Sequence, residues 1–196
     1  MSRKNSVNEM ILKKFGEMIQ TFGIKQITID MIAEKCGISK KTVYKYFSSK
    51  HELVDRIITD LLDELGQRFD EIDVTDSKPI DKMYDIFASM YQLLGSLSIP
   101  LLHDIKTGYP EINARIDEFR TSHKDLVRRT IKDGIESGDF NPDVNPHIAT
   151  EMIMGSAEKV IHPEYIISNN LTVEQTISSF KSFIVNGLVI KGGGAL

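Results

Sequence analysis

Residues 28–50, TIDMIAEKCGISKKTVYKYFSSK, constrain the fold more than any other stretch. They read as two short helices joined by a tight turn. Ile29, Ile32 and Ala33 recur at the i, i+3, i+4 spacing of one helix face. Gly37 follows where a helix C-terminus wants a residue that tolerates a left-handed backbone. Ser39 then supplies an N-cap, its hydroxyl accepting from the free N–H groups of the next turn. The second helix, about Lys40 to Tyr46, carries Val43 and Phe47 inward and leaves Lys40, Lys41, Thr42, Tyr44, Lys45 and Tyr46 for other work. Ammonium groups and hydroxyls together suit a groove lined with phosphates. Helix, glycine-containing turn and helix form the helix-turn-helix pattern, whose second helix enters the major groove. The pattern therefore predicts double-stranded DNA as a partner. Ser39, Lys40, Lys41 and Thr42 stand at the start of the reading helix, the last three facing base edges or nearby phosphates.

Charge distribution points the same way. The 196-residue chain carries a net charge of −4, which on its own argues against nucleic acid. Residues 1–50 sum to +6, however, and the rest to −10. A basic head on an acidic body concentrates phosphate attraction at one end. A non-specific architectural DNA binder would need a basic body, and this one is acidic.

The remainder reads as helices, so the expected fold class is all-α. Ile11, Phe15, Ile19 and Phe22 make an apolar stripe on a first helix from about Val7, stopped by Gly23. With the two short helices it completes a three-helix DNA-binding head, residues 1–48, preceded by a basic arm at Arg3 and Lys4. Residues 49–196 form the second expected domain. Ser49 to Glu52 fits a capping box for a fourth helix reaching about Ile72, long enough to begin in the head and end in the body. A fifth helix runs from Pro79 to Leu94, ended by Gly95 and Ser96, and a short piece follows at about Pro100–Lys106. The longest helix is expected over Glu111–Ser137, with Ile112, Ile116, Phe119, His123, Leu126 and Ile131 on one stripe. Asn145 and Pro146 start a helix to about Ile161, which Pro163 ends. Thr172 to Gln175 starts a last one to about Lys191, leaving KGGGAL as a tail.

The segment IAEKCGISKKTVYKYFSSKHEL resembles the N-terminal signature of the TetR/AcrR family of transcriptional regulators. The matching features are Thr28, Ile32-Ala33, Gly37-Ile38-Ser39, Thr42-Val43-Tyr44, Tyr46-Phe47, Lys50 and Leu53. The resemblance implies a dimeric, all-helical, ligand-responsive repressor. It also implies that Tyr44, Tyr46 and Lys50 hold the DNA backbone, with Thr28 doing so at the entry of the preceding helix. A pocket in the body is implied too, between the fourth helix and those that follow. Phe87, Met90, Tyr91, His103, Phe119, His123 and Met152 are the candidate lining residues. Without a row of pocket cations, the expected effector is a small lipophilic or aromatic molecule that releases a palindromic operator. A constitutive, ligand-independent DNA binder is the alternative.

The last two helices are the expected homodimer interface. Ala149, Gly155, Ser156 and Ala157 are small, and the final helix has a wider apolar surface than one core-facing stripe requires. Ile153, Ala157, Ile177, Phe180, Ile184 and Leu188 are the residues assigned to it, in a four-helix bundle made from two chains. No P-loop, GxGxxG, HExxH or GxSxG occurs, so the chain is expected to be no enzyme, with no cofactor and no metal site. Glu158 and His162, four apart, read as a surface pair. The single cysteine, Cys36, excludes an intramolecular disulfide framework and reads as a small packing residue. No apolar run reaches the ~18–20 residues a membrane span needs, and no secretory signal is evident, so a cytoplasmic location with no membrane partner is expected.

Overall fold

The computed structural model describes residues 3–94 and 97–189, with side chains described for all of these except 3–5, 93 and 94. The side chains of Arg3 and Lys4, the helix stop at Gly95 and Ser96, and the chain from residue 190 onward lie outside the described residues.

The fold is all-α, as the sequence reading expects. Its helices are α1 (Arg3–Phe22), α2 (Ile29–Cys36), α3 (Lys40–Tyr46), α4 (Lys50–Val74), α5 (Pro79–Leu94) and α6 (Ile99–Gly108), then α7 (Pro110–Ser122), α8 (Lys124–Ser137), α9 (Pro146–Val160), α10 (Pro163–Ser168) and α11 (Val173–Leu188). The only β pairing among the described residues is an isolated antiparallel bridge between Phe140 and Val189.

The chain divides into two compact units. Unit one is Met1–Asp63 with Leu97–Ala114, and unit two is Glu64–Ser96 with Arg115–Leu196. The DNA-binding head expected over residues 1–48 is therefore part of a larger unit that also holds the first half of α4, all of α6 and the start of α7. In unit one, α1 packs on α2 and α6, and α2 packs on α3. Ile11, Phe15, Ile19, Ile24, Ile27, Ile32, Val43 and Leu53 are buried there almost completely. Phe22, placed on the apolar stripe by its spacing, is instead largely exposed, because α1 ends there and Gly23 turns the chain at φ +71°.

Unit two has its own core, formed by Met83, Phe87, Val127, Ile131, Phe140, Ile153, Ala157, Phe180, Ile184, Val185 and Leu188. It draws on α5, α8, α9 and α11, which pack on one another. Phe140 anchors the turn-rich segment after α8: its N–H donates to Gly134 O at 2.8 Å, and Asn141 N–H donates to Leu188 O at 2.8 Å.

The single long helix expected over Glu111–Ser137 is two. His123 leaves the helical conformation at φ −94°, ψ 5° and separates α7 from α8. Two side chains meet the carbonyl of Phe119 beside the break. Ser122 Oγ donates to Phe119 O at 2.8 Å, and His123 Nδ1 lies 2.9 Å from the same carbonyl. That carbonyl also keeps its backbone bond, His123 N–H donating to it at 3.3 Å, and neither a proline nor a glycine stands at the break. The short α10 had no counterpart in the sequence reading. His162 caps it, with Glu164 N–H donating to Nδ1 at 3.3 Å, and Pro163 occupies its first turn.

Gly134 yields a stability prediction. A Cβ built there would run into the ring of Phe140, which is fully buried. Gly134→Ala should therefore destabilise unit two by about 1–3 kcal/mol from overpacking, despite the ~1 kcal/mol by which alanine favours a helix. Denaturant unfolding would show a lower midpoint. An unchanged or raised midpoint would show that Phe140 can move aside.

Candidate nucleic-acid interface

The two short helices of unit one are set by their caps. Thr28 Oγ1 accepts from Met31 N–H at 3.2 Å and starts α2. Gly37 ends it at φ 65°, ψ 32°, and its N–H and that of Ile38 return to the carbonyls of Glu34 and Ala33. This left-handed turn is where a side chain would be strained. Ser39 Oγ then accepts from Thr42 N–H at 3.1 Å and lies 2.8 Å from Thr42 Oγ1. Thr28 and Ser39, singled out for DNA contact, thus have a structural task as well: each fixes where a helix begins.

Burying Val43 and Phe47 decides which side of α3 faces outward. Lys40, Lys41, Tyr44 and Lys45 are exposed, while Thr42 and Tyr46 are half-buried. Lys40 Nζ lies 2.9 Å from Asp30 Oδ2, and this hydrogen bond raises its pKa above the ordinary lysine value. Lys40 remains an ammonium at any physiological pH. Lys41, Tyr44 and Lys45 share one face at i, i+3, i+4 spacing. Lys45 is not in the sequence-derived set, although the spacing that selects Lys41 selects it equally.

Lys50 differs from the other candidates. Its Nζ donates to Ile24 O at 3.1 Å and to Ile27 O at 2.9 Å. Two of its three donors therefore hold the turn between α1 and α2, and one remains for a phosphate. Close by, Ser48 N–H and Oγ both donate to Glu52 Oε2 at 2.6 Å, while Glu52 N–H donates to Ser49 Oγ at 3.1 Å. The hydroxyl and N–H of Ser48 hold the Glu52 carboxyl below its ordinary pKa. A depressed carboxylate stabilises above its unfolded value of about 4.3, and that stabilisation is lost as pH falls through the lower folded value. Cys36 is half-buried, and that burial pushes its thiol up.

Within unit two, contacts place four of the candidate effector residues in two local groups. Phe87 is core in unit two, with Phe180 edge-on at 5.8 Å between ring centroids. Tyr91 is exposed and donates to Glu174 Oε1 at 2.6 Å, and that bond raises its pKa. Phe87 and Tyr91 share the lining of a groove of about 330 Å³ between α5 and α11, together with Gln92, Glu174, Ile177 and Lys181. Met90, on the same helix, is half-buried and is not among those lining residues. Phe119 and His123 form a second group with Phe69, at centroid distances of 4.2 Å between themselves and 5.2 Å from Phe69 to His123. His103 is exposed and belongs to unit one. Met152 is 62% exposed on α9.

The residues assigned to the dimer interface are packed within the single chain. Ile153, Ala157, Ile177, Phe180, Ile184 and Leu188 are all buried within this one chain. Five of them belong to the core of unit two, and Ile177 is buried beside it. The wide apolar surface of α11 does have a second side, but that side is Phe183, 74% exposed, matched on α9 by Ile148 at 61% and Met152. Spacing alone could not rank the two sides, since Phe180, Phe183 and Ile184 are equally apolar.

Two predictions concern this interface. Lys41→Ala should weaken binding to all duplexes similarly and lower the salt slope by about one unit, because a phosphate contact carries no sequence information. Thr42→Ala should instead change the preference at one base pair, and it should also cost up to about 1 kcal/mol of stability through its lost hydrogen bond to Ser39. Titrations across a salt series would separate them; identical behaviour of the two variants would contradict the division of roles.

Comparison with known proteins agrees with this geometry. Residues 11–57 match the family model of bacterial regulatory proteins of the tetR family, and residues 76–162 match that of the tetracyclin repressor-like C-terminal domain. An uncharacterized HTH-type transcriptional regulator of Bacillus subtilis, YvaF, is 24% identical over 183 residues, covering 93% of this chain and 95% of its own. The structure of the ketosteroid transcriptional regulator KstR2 of Mycobacterium tuberculosis is similar with a TM-score of 0.66 at 19% identity, covering 97% of this chain and 96% of that one. The transcriptional regulator FadR of Bacillus subtilis in complex with stearoyl-CoA gives a TM-score of 0.63 at 18% identity, over 91% and 98%. The two matched regions together span more than half of the chain, which therefore belongs to the TetR family of helix-turn-helix, DNA-binding regulators of transcription.

Proposed function

We propose that this protein is a cytoplasmic repressor that binds a palindromic operator as a homodimer and leaves it when a small lipophilic or aromatic molecule binds unit two. The observation that carries the reading is the outward face of α3: Lys40, Lys41, Tyr44 and Lys45 exposed together on a helix whose opposite side is buried. Such a face has little use other than a polyanion groove, and it stands on a chain whose net charge is −4.

Two-fold binding rests on the unpartnered apolar side of α9 and α11. Ile148, Met152 and Phe183 are each more than half exposed, and a second copy would bury them. A dimer presents two reading helices to half-sites about 34–36 Å apart. The effector class is supported by chemistry and by likeness. Unit two is apolar inside, and among the similar proteins are FadR, whose structure holds stearoyl-CoA, and KstR2, a ketosteroid regulator. The helix α4 begins with Lys50, which tethers the α1–α2 turn, and continues past residue 64 into unit two. A ligand that shifts its second half acts on the helix that carries this tether. A useful switch needs a coupling of about 1–3 kcal/mol, which weakens DNA and ligand binding by the same factor. No helix among the described residues is long and apolar enough to cross a membrane.

The dimer claim is tested by Phe183→Glu set against Ile184→Glu. The first places charge on an exposed ring and should give folded monomers by sedimentation; the second places it in the core and should unfold unit two. Folded Phe183→Glu dimers would remove this surface from the assembly. For the switch, long-chain acyl-CoA and ketosteroids titrated into the protein–operator complex should release DNA for at least one class. Operator affinity unchanged by either would leave the constitutive binder as the better account.

A further inference from the structure

In unit one, α6 approaches the turn between α1 and α2 very closely. Asp104 sits on α6 with only 8% of its side chain exposed. Its Oδ2 accepts the N–H of Ile24 at 2.7 Å and that of Lys25 at 2.9 Å, while Oδ1 lies 3.5 Å from Lys25 Nζ. A Cβ on Gly23 would stand 2.9 Å from that same Oδ2 and 3.1 Å from Pro100 Cβ, so only glycine admits the contact. The other side of the turn belongs to Lys50, which takes the carbonyls of Ile24 and Ile27. Ile24 therefore has its N–H committed to α6 and its C=O to α4. Three residues later Ile27 is fully buried, and then Thr28 caps α2.

A buried carboxylate is costly unless it is fully paired, and here its partners are backbone donors of one turn. The geometry points to Asp104 as a positioning residue for DNA reading: held between Asp104 and Lys50, the α1–α2 turn fixes where α2, and α3 after it, begin. Asp104 touches no DNA in this account. It lies 76 residues from Thr28 in the chain, inside the stretch 76–162 that matches the family's C-terminal model, yet it serves the reading unit. The role rests on the DNA-binding reading above. Lys25 Nζ also meets Thr107 Oγ1 at 3.1 Å, so the turn is pinned to α6 at two points one helical turn apart.

The test uses full-length protein and a duplex selected by the wild type from a random-sequence pool. Asp104→Ala leaves the Ile24 N–H buried without an acceptor and should lower affinity by at least about tenfold. Asp104→Asn keeps an oxygen that can accept both N–H groups and should recover most of that loss. Ile105→Ala removes buried packing from the same helix without touching the two bonds, and should retain wild-type affinity once corrected for the folded fraction. Asp104→Ser, too short to reach both donors, replaces the alanine variant should the latter not fold. Amide exchange at Ile24 and Lys25 should accelerate in the alanine or serine variant and stay near wild type in Asp104→Asn. Wild-type affinity in Asp104→Ala, or a loss no greater than that of Ile105→Ala, overturns the role. A wild type that selects no duplex overturns the proposed function instead, and unchanged exchange at Ile24 and Lys25 in the alanine variant then overturns this inference separately.

Discussion

The burial of Val43 and Phe47 is the interaction on which DNA reading depends. The helix α3 has seven residues, and a helix that short has no stability of its own in water. It persists because one side is fixed in the head's core, and the same burial turns Lys41, Tyr44 and Lys45 outward. Caps supply the rest. Thr28 and Ser39 each satisfy free N–H groups, worth about 1 kcal/mol apiece, and Gly37 makes the left-handed turn between them. Recognition chemistry at this site is therefore inseparable from the local physics that forms the helix.

Upstream, the same logic applies to the α1–α2 turn. Its peptide groups are too buried to be left to water, so Asp104 accepts the N–H side and Lys50 donates to the C=O side. A head of three helices could not bury these groups by itself. This explains why the compact unit extends beyond residue 48 to take in α6 and the start of α7. At that far end, His51 Nε2 lies 2.5 Å from Glu111 Oε1 and its ring is 5.4 Å from that of Tyr109. Unit two has a separate core centred on the Phe87, Phe140 and Phe180 rings.

Much of this was legible in the sequence where the information is local. The caps at Ser39, Asn145 and Thr172 follow from residue type and spacing, and each accepts the N–H groups such a cap should. The break at His123 was not legible, because it falls within an otherwise helical pattern with no proline or glycine at that point. Nor could periodicity tell Phe183 from Phe180, since an apolar residue reads the same whether its neighbour is its own core or solvent. Asp104 did carry a signal: it lies three residues from Leu101 on the buried side of a short helix. A carboxylate in that position demands donors, but only the fold reveals that they come from 80 residues away.

Function of this kind requires that α3, held in this way, read a two-fold symmetric sequence. Selection from a random-duplex pool with the full-length protein measures that directly. The account predicts enrichment of an inverted repeat whose half-site centres lie about 34–36 Å apart along the duplex, or a multiple of that spacing. Enrichment should collapse to non-specific binding when Lys41 and Thr42 are both replaced by alanine. A wild-type pool with no enriched sequence, or with enrichment that survives that double replacement, would contradict it.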